Sequence, residues 1–376
     1  MSRRRYIFFL VPVCFIFFSV PRPVQAQRQD SLISPALHKD HEEIAGTKEI
    51  SNTGEMIIEH ILDAHEWHLF SLNKKEVVIP LPVILFYHGH LYAFSSARFH
   101  HGEQPYKGFK LETEGKNKGK IVCTGNPGTA EAGEQTEKPL DLSITKDVMS
   151  LFISVIILCV LFISVGRAYQ KRKDEAPRGF QSFIEPVILF VRELAISSIG
   201  EKKYEKYLPY LLTLFFFIFF NNLFGLMPFF PGGANLTGNI TVTMVMAIFT
   251  FIITTFSGNR NYWLDIFNTP GVPWWLKVPV PLMPIVEIIG VFTKPFILMI
   301  RLFANIAAGH IVVFGFISLI FIFANMHIGL GYSVSIVSVL FAVFMGLLEM
   351  LVAFIQAYVF TLLSALYFGM ATQEHH

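Results

Sequence analysis

Glu287, Lys294, Arg301 and His310, and after a long apolar interval Glu349, are the ionisable side chains of two otherwise apolar stretches near the end of a 376-residue chain. The amides Asn305 and Gln356 lie among them. An arginine at the centre of a hydrocarbon layer costs on the order of 2.5–3.5 kcal/mol on insertion scales, so these groups need partners or a task. Histidine and carboxylate can exchange protons near physiological pH, whereas arginine keeps its charge. The chemistry on offer is therefore proton relay beside a fixed positive charge.

Spacing sorts the groups. Glu287, Lys294 and Arg301 recur every seven residues, near one helical stripe, and Asn305 is one turn beyond Arg301 on that side. His310 follows Arg301 by nine residues, half a turn round and ~13 Å further along the axis. Glu349 and Gln356, again seven apart, share a face of the returning helix. Antiparallel pairing can bring Glu349 opposite His310 and Gln356 opposite Arg301. Two polar routes that do not join directly suit protons handed to a mobile carrier between them. Lys294, nearer the helix end, could instead snorkel to the interface.

The elements that must hold these groups are membrane helices. Apolar residues make up 53% of the chain, mean hydropathy is +0.50, and the apolar residues fall in long blocks. The reading is an all-α polytopic membrane protein with five transmembrane helices. Expected crossings are Val148 to Val165, Tyr207 to Phe230, Ile240 to Phe256, Ile285 to Ala324 and Ser333 to Tyr367. Phe180 to Gly200, with Glu185, Arg192 and Glu193, reads as an amphipathic helix at the interface. The last two stretches would be roughly 50–60 Å long against ~30 Å of hydrocarbon, so they form a tilted hairpin, turning at Asn325 to Gly331 and interrupted by Pro295. Arg167, Lys171, Arg172, Lys173 and Arg178 place the end of the first crossing in the cytoplasm.

Residues 1–26 read as a signal peptide: Arg3, Arg4 and Arg5, then an apolar run to Val20, then Val24-Gln25-Ala26. An uncleaved anchor is the alternative. Residues 27–140 are polar, a periplasmic extension with strand-like runs at Lys74 to Leu85 and Tyr87 to Phe94. A disordered Gly/Glu/Lys-rich tail is expected over Glu112 to Pro139. A helical-looking stretch before the strands holds His60, His65 and His68, and His88, His90, His100 and His101 follow. Their spacing matches no closed metal-ligand pattern, and Cys14, Cys123 and Cys159 are unpaired in spacing, so no metal and no cofactor is expected. A net charge of +2 gives no field for nucleic acid.

Arg301-Leu302-Phe303-Ala304-Asn305-Ile306-Ala307-Ala308-Gly309-His310, with Glu287 and Lys294-Pro295 upstream, resembles the signature helix of the a subunit of F-type ATP synthases. Leu208-Pro209-Tyr210, Asn221-Asn222-Leu223-Phe224-Gly225-Leu226-Met227-Pro228, Asn239 to Thr243 and Gln356-Ala357-Tyr358-Val359-Phe360 agree with it. The resemblance covers about Leu140 to the end, so residues 141–376 are the expected membrane domain. It implies that Arg301 is the stator arginine facing the c-subunit ring, with Asn305 and Gln356 its polar neighbours. It places Glu287 in the cytoplasmic half-channel and His310 with Glu349 in the outer one. Lys294 and Asn222 are secondary candidates, the latter also able merely to hydrogen-bond between helices.

Some bacterial relatives carry the carboxylate on the first helix and the histidine on the second; here the order is exchanged, as in mitochondrial forms. Gly225 stands where some carry an aspartate. The implied function is proton-translocating stator, with the c-ring, the b-subunit peripheral stalk, the remaining synthase subunits including the soluble catalytic head, and the lipid bilayer as partners. The implied location is the bacterial inner membrane, mature N-terminus periplasmic and C-terminus cytoplasmic. The chain is not expected to be catalytic alone, having no GxxxxGK[ST] loop. A secondary ion transporter using Arg301 as a substrate site, or a plain membrane anchor, are the rival classes. The repeated halves and broken helices of the former are not evident.

Overall fold

A computed structural model describes residues 63–72, 75–102, 104–112, 119–123, 138–171, 179–227, 232–234, 236–267 and 282–373. The signal-peptide segment, His60 and Cys14 lie outside these. The chain divides into two compact units, one from Glu59–Cys159 with Phe224–Leu236, the other from Val160–Leu223 with Thr237–His376.

The first unit carries strands β1 (Glu66–Leu72), β2 (Lys75–Pro80), β3 (Pro82–Tyr87), β4 (His90–Ser95), β5 (Phe109–Leu111), β6 (Ile121–Cys123) and β7 (Leu140–Asp141). They form antiparallel sheets β1-β2, β4-β3-β7 and β5-β6. The β3–β4 hairpin turns at His88 and Gly89, both at positive φ, as a tight two-residue turn requires. Its core gathers Val83, Leu85, Phe99, Phe109, Ile121 and Cys123, ringed by Tyr87, Tyr92, Phe94 and Tyr106.

Two expectations are corrected here. His68 lies in β1, and His65 just before it, so the histidine-bearing stretch is a strand rather than a helix over its described part. Antiparallel pairing with β2, from Glu66 opposite Pro80 to Leu72 opposite Lys75 with a register shift between His68 and Phe70, outweighs the helical reading. Within Glu112 to Pro139, Ile121–Cys123 is an ordered strand whose three side chains are buried, because β5 supplies a partner that local composition does not reveal.

Among the described residues seven α-helices follow: α1 (Lys146–Lys171), α2 (Phe180–Ile199), α3 (Tyr204–Leu226), α4 (Ile240–Ser257), α5 (Arg260–Phe267), α6 (Leu282–Met326) and α7 (Ile328–Thr372). Five are long and apolar enough to cross a bilayer, namely α1, α3, α4, α6 and α7. α2 is not among them, and its buried Gln181, Ile184, Val191, Leu194 and Ala195 fall on one face.

In the second unit α6 and α7 form an antiparallel hairpin and pack on α2 and α4. Each contains 45 residues, hence ~68 Å of helix against ~30 Å of hydrocarbon. The expected turn from Asn325 to Gly331 shrinks to His327. Its side chain accepts from Gly329 N–H at 3.2 Å as the N-cap of α7. A Cβ on Gly331 would meet Ala324 Cα at 2.7 Å, so the helices approach here only because the position is glycine. α6 also continues through Pro295 without a break.

α7 buries Ala353, Ala357, Thr361 and Ala365 completely, a four-residue repeat of small side chains that lets neighbouring helices approach closely. The repeat ends at Gly369, where the backbone carbonyl of Ser198 in α2 leaves no space for a side chain. The last carbonyls of α7, which no helical N–H can satisfy, are held from outside. Lys203 Nζ and Asn259 Nδ2 donate to Thr372 O at 2.7 and 3.1 Å, and Asn259 N–H donates to Ala371 O at 2.9 Å. The cation also opposes the negative end of the helix dipole.

Candidate functional site

Glu349 projects from the buried face of α7 towards α6 and is only 6% exposed. His310 Nδ1 lies 3.1 Å from its Oε1, an ion-pair distance when the imidazole is protonated. The contact is close but not aligned as a hydrogen bond, since that oxygen has no aligned donor among the described residues. Gly309 makes the approach possible. A Cβ there would stand 2.9 Å from the Glu349 carboxyl carbon and Oε1. The expected pairing of His310 with Glu349 is therefore present, and a glycine next to the histidine sets it.

Asn305 Nδ2 donates to Gln356 Oε1 at 2.9 Å. Gln356 was expected opposite Arg301; the residue it bonds is Asn305, one turn further along α6. A neutral amide reaches this deeply buried acceptor while the longer guanidinium stays outside. Gln356 Nε2 is buried with no partner among the described residues.

Arg301 is exposed, as are Ile297, Ile300, Ala304, Asn305 and Ala308. These positions form one stripe of α6 at intervals of three and four residues. Small side chains at Ala304 and Ala308 leave the guanidinium accessible from the side. Half a turn away, His310 faces Glu349, as the nine-residue interval requires. Across the five crossing helices, α6 and α7 bury the smallest share of their apolar length within the chain.

Towards the N-terminal end of α6 a second polar group forms. Lys294 Nζ sits 5.5 Å from the centre of the Tyr367 ring, a cation–π contact. Tyr367 also lies within electrostatic reach of Arg301. Thr250, Thr254, Tyr262, Lys294 and Tyr367 line a small cleft between α4, α5, α6 and α7. Glu287 stands beside it: burial, and then the charge of Glu287, push the Tyr262 phenol above its ordinary pKa. From Thr250 a hydroxyl chain continues to Tyr210 at 2.9 Å and Ser364 at 3.4 Å.

Lys294 and Arg301 thus both come near Tyr367, and Glu287 near Tyr262. Tyr262, Thr250, Thr254 and Tyr367 are additions. A signal for them existed, because Thr250 and Thr254 are one turn apart in an apolar helix and Tyr367 lies eleven residues after Gln356 on the same face. Asn222 Nδ2 donates to Ala353 O at 3.2 Å, one turn from Glu349 on α7, and its buried Oδ1 has no partner among the described residues. Asn221 turns back on its own helix, donating to Phe217 O at 2.7 Å. Among the described residues no group of three or more histidine, cysteine or acidic side chains could hold a metal.

The family model of the ATP synthase A chain matches residues 148–369. A second model, of a domain of unknown function, matches residues 56–142. ATP synthase subunit a of Chloroherpeton thalassium is 45% identical over 245 residues, covering 63% of this chain and 69% of the relative. ATP synthase subunit a 2 of Chlorobaculum tepidum is 44% identical over 239 residues, 62% of this chain and 64% of the relative. For ATP synthase subunit a of Myxococcus xanthus the identity is 44% over 260 residues, 66% and 81% of the two chains. The matched region contains every element of the polar hairpin, from Glu287 to Gln356, and the chain belongs to the ATP synthase A chain family.

Proposed function

We propose that the chain is the proton-translocating stator subunit of a rotary ATP synthase membrane sector, and that Arg301 divides two proton routes. The observation that carries this is the disposition of charge on α6. A permanent cation lies exposed on an outward stripe, and half a turn away a histidine is paired with a buried acid. An arginine exposed on a helix in lipid needs a counter-charge from outside the chain. A carboxylate carried past by a ring of c subunits supplies one.

Such a carboxylate crosses lipid protonated, because an ionised carboxylate in low dielectric costs several kcal/mol even after relaxation. Opposite Arg301 it ionises. Glu287, Tyr262, Lys294 and the hydroxyls around Thr250 offer a route from one surface, and His310 with Glu349 a route from the other. Asn305 and Gln356 hold the two helices in register between them. Arg301 repels protons that would otherwise cross directly, and a membrane potential biases the direction by ~2.3 kcal/mol per charge per 100 mV.

In this reading the chain works beside the c-ring, the b-subunit stalk and the soluble catalytic head and makes no ATP alone. It lies in a bacterial inner membrane with residues 27–140 on the periplasmic side and the C-terminus in the cytoplasm. Residues 1–26 serve as the signal peptide. The decisive experiment is passive proton conduction in liposomes. Chain plus c-ring should conduct under an imposed potential, whereas chain alone should not. Conduction by the chain alone, or solute transport that needs no ring, would favour a secondary transporter.

A further inference from the structure

The sheet β4-β3-β7 breaks the usual rule for an antiparallel sheet with one face in water, which is apolar inward and polar outward. On β7 and the residues after it the order is reversed. Asp141 turns inward to His65, with Nε2 and Oδ2 2.8 Å apart, and buried Ser143 accepts the Ile84 N–H at 3.1 Å. Leu140 and Leu142, which alternate with them, point outward at 49% and 39% exposed. Phe86 pairs with Leu140 on one side and Leu91 on the other, making a cross-strand row in which Phe86 is 43% and Leu91 64% exposed. Ile84 and its cross-strand partner Ala93 complete the outward surface, which bears no charge. Val83 and Leu85, on the other face, are fully buried in the core. The outer face of the sheet is therefore apolar across all three strands and needs a cover that is not water.

We infer that this outer face, centred on Phe86, Leu91, Leu140 and Leu142, rests in the interfacial layer of the lipid bilayer on the side where α1 enters it. The short covalent tether to α1, a helix long and apolar enough to cross a bilayer, selects lipid as the occupant. Three residues separate Leu142 from Lys146, the first residue of that crossing helix, so the chain holds the leucine within ~14 Å of the helix start. Ile156, further along the same helix and 61% exposed, is already part of a surface that only lipid or another membrane helix can cover. A permanent tether keeps the sheet at the bilayer at high effective concentration, which a soluble partner would have to displace. The absence of charge from the outward face matches a surface that meets lipid rather than water.

Site-specific photocrosslinking in the assembled complex tests this. p-Benzoylphenylalanine replaces Phe86 or Leu91, and in a control it replaces Lys107, which is exposed but outside this sheet. The complex is irradiated in vesicles of phosphatidylethanolamine and phosphatidylglycerol, and adducts are identified by mass spectrometry. Lipid adducts at positions 86 and 91 severalfold above those at 107 are expected. Lipid adducts no more frequent than at 107 would overturn the inference. So would predominant crosslinks to another subunit, to a second copy, or to residues 27–62 of the same chain.

Discussion

Replacing Gly309→Ala should slow proton transfer through the membrane sector without disturbing its assembly. The new methyl would stand 2.9 Å from the Glu349 carboxyl carbon, where ordinary contact begins at 3.4 Å. The colliding atoms are the far end of a flexible side chain, so the carboxyl moves while the helices stay. Restoring contact means a displacement of ~0.5 Å, taking the His310–Glu349 separation of 3.1 Å to ~3.6 Å. At an effective dielectric of ~20 this removes about 0.7 kcal/mol of attraction between the charged forms, a three- to fourfold effect on the relay. Alanine also favours the helix by ~0.8–1.0 kcal/mol over glycine, so thermal stability should hold or rise slightly. Gly309→Val should do more, because the carboxyl must leave entirely. The assay is passive conduction, read with a trapped pH dye in liposomes containing chain and c-ring. Conduction in Gly309→Ala equal to the unaltered chain, while Glu349→Gln abolishes it, would refute the claim that close His310–Glu349 contact governs the rate.

Exchanging the pair as His310→Glu with Glu349→His should retain more conduction than either change alone; simply additive losses would argue against direct coupling. Removing the ammonium with Lys203→Met should raise hydrogen exchange in the last turn of α7, where Thr372 O loses the nearer of its two donors, at 2.7 Å, and keeps Asn259 at 3.1 Å. Lys203→Arg should restore protection; unchanged exchange in the methionine variant would rule out the anchor. Burial opposes ionisation of Asp141, but the hydrogen bond and charge of His65, with Ser143, outweigh it and hold the carboxyl at about 2, below its ordinary value of 3.8. A lowered carboxylate contributes stability above its unfolded pKa and loses it as pH falls through the folded one. About 2 kcal/mol should therefore be present above pH ~4 and vanish towards pH ~2. Asp141→Asn should remove that dependence, measured as protection of the β3 amides against pH.

Much of the hairpin was legible in the sequence because helical period and hydrocarbon cost act locally. Seven-residue spacing placed Glu287, Lys294 and Arg301 together, and a nine-residue interval sent His310 to the other side. The pairing of Asn305, rather than Arg301, with Gln356 was not legible, since it depends on the axial offset of two helices. That offset is set by the one-residue turn at His327, by Gly331 and by the grip of Lys203 and Asn259 on the far end of α7. Gly309 was visible as a letter, but its reason is a neighbour forty residues away. In the N-terminal unit the β3–β4 hairpin announced itself through alternation around His88-Gly89. β6 did not, because three residues become a strand only when β5 pairs with them.

ATP-driven proton pumping by the whole reconstituted synthase carrying Arg301→Ala tests the account most directly. Assembly should be intact, because the side chain is exposed, and pumping should be abolished, because ring carboxylates no longer meet a fixed cation between the two routes. Robust coupled pumping in that variant would contradict the role assigned to Arg301.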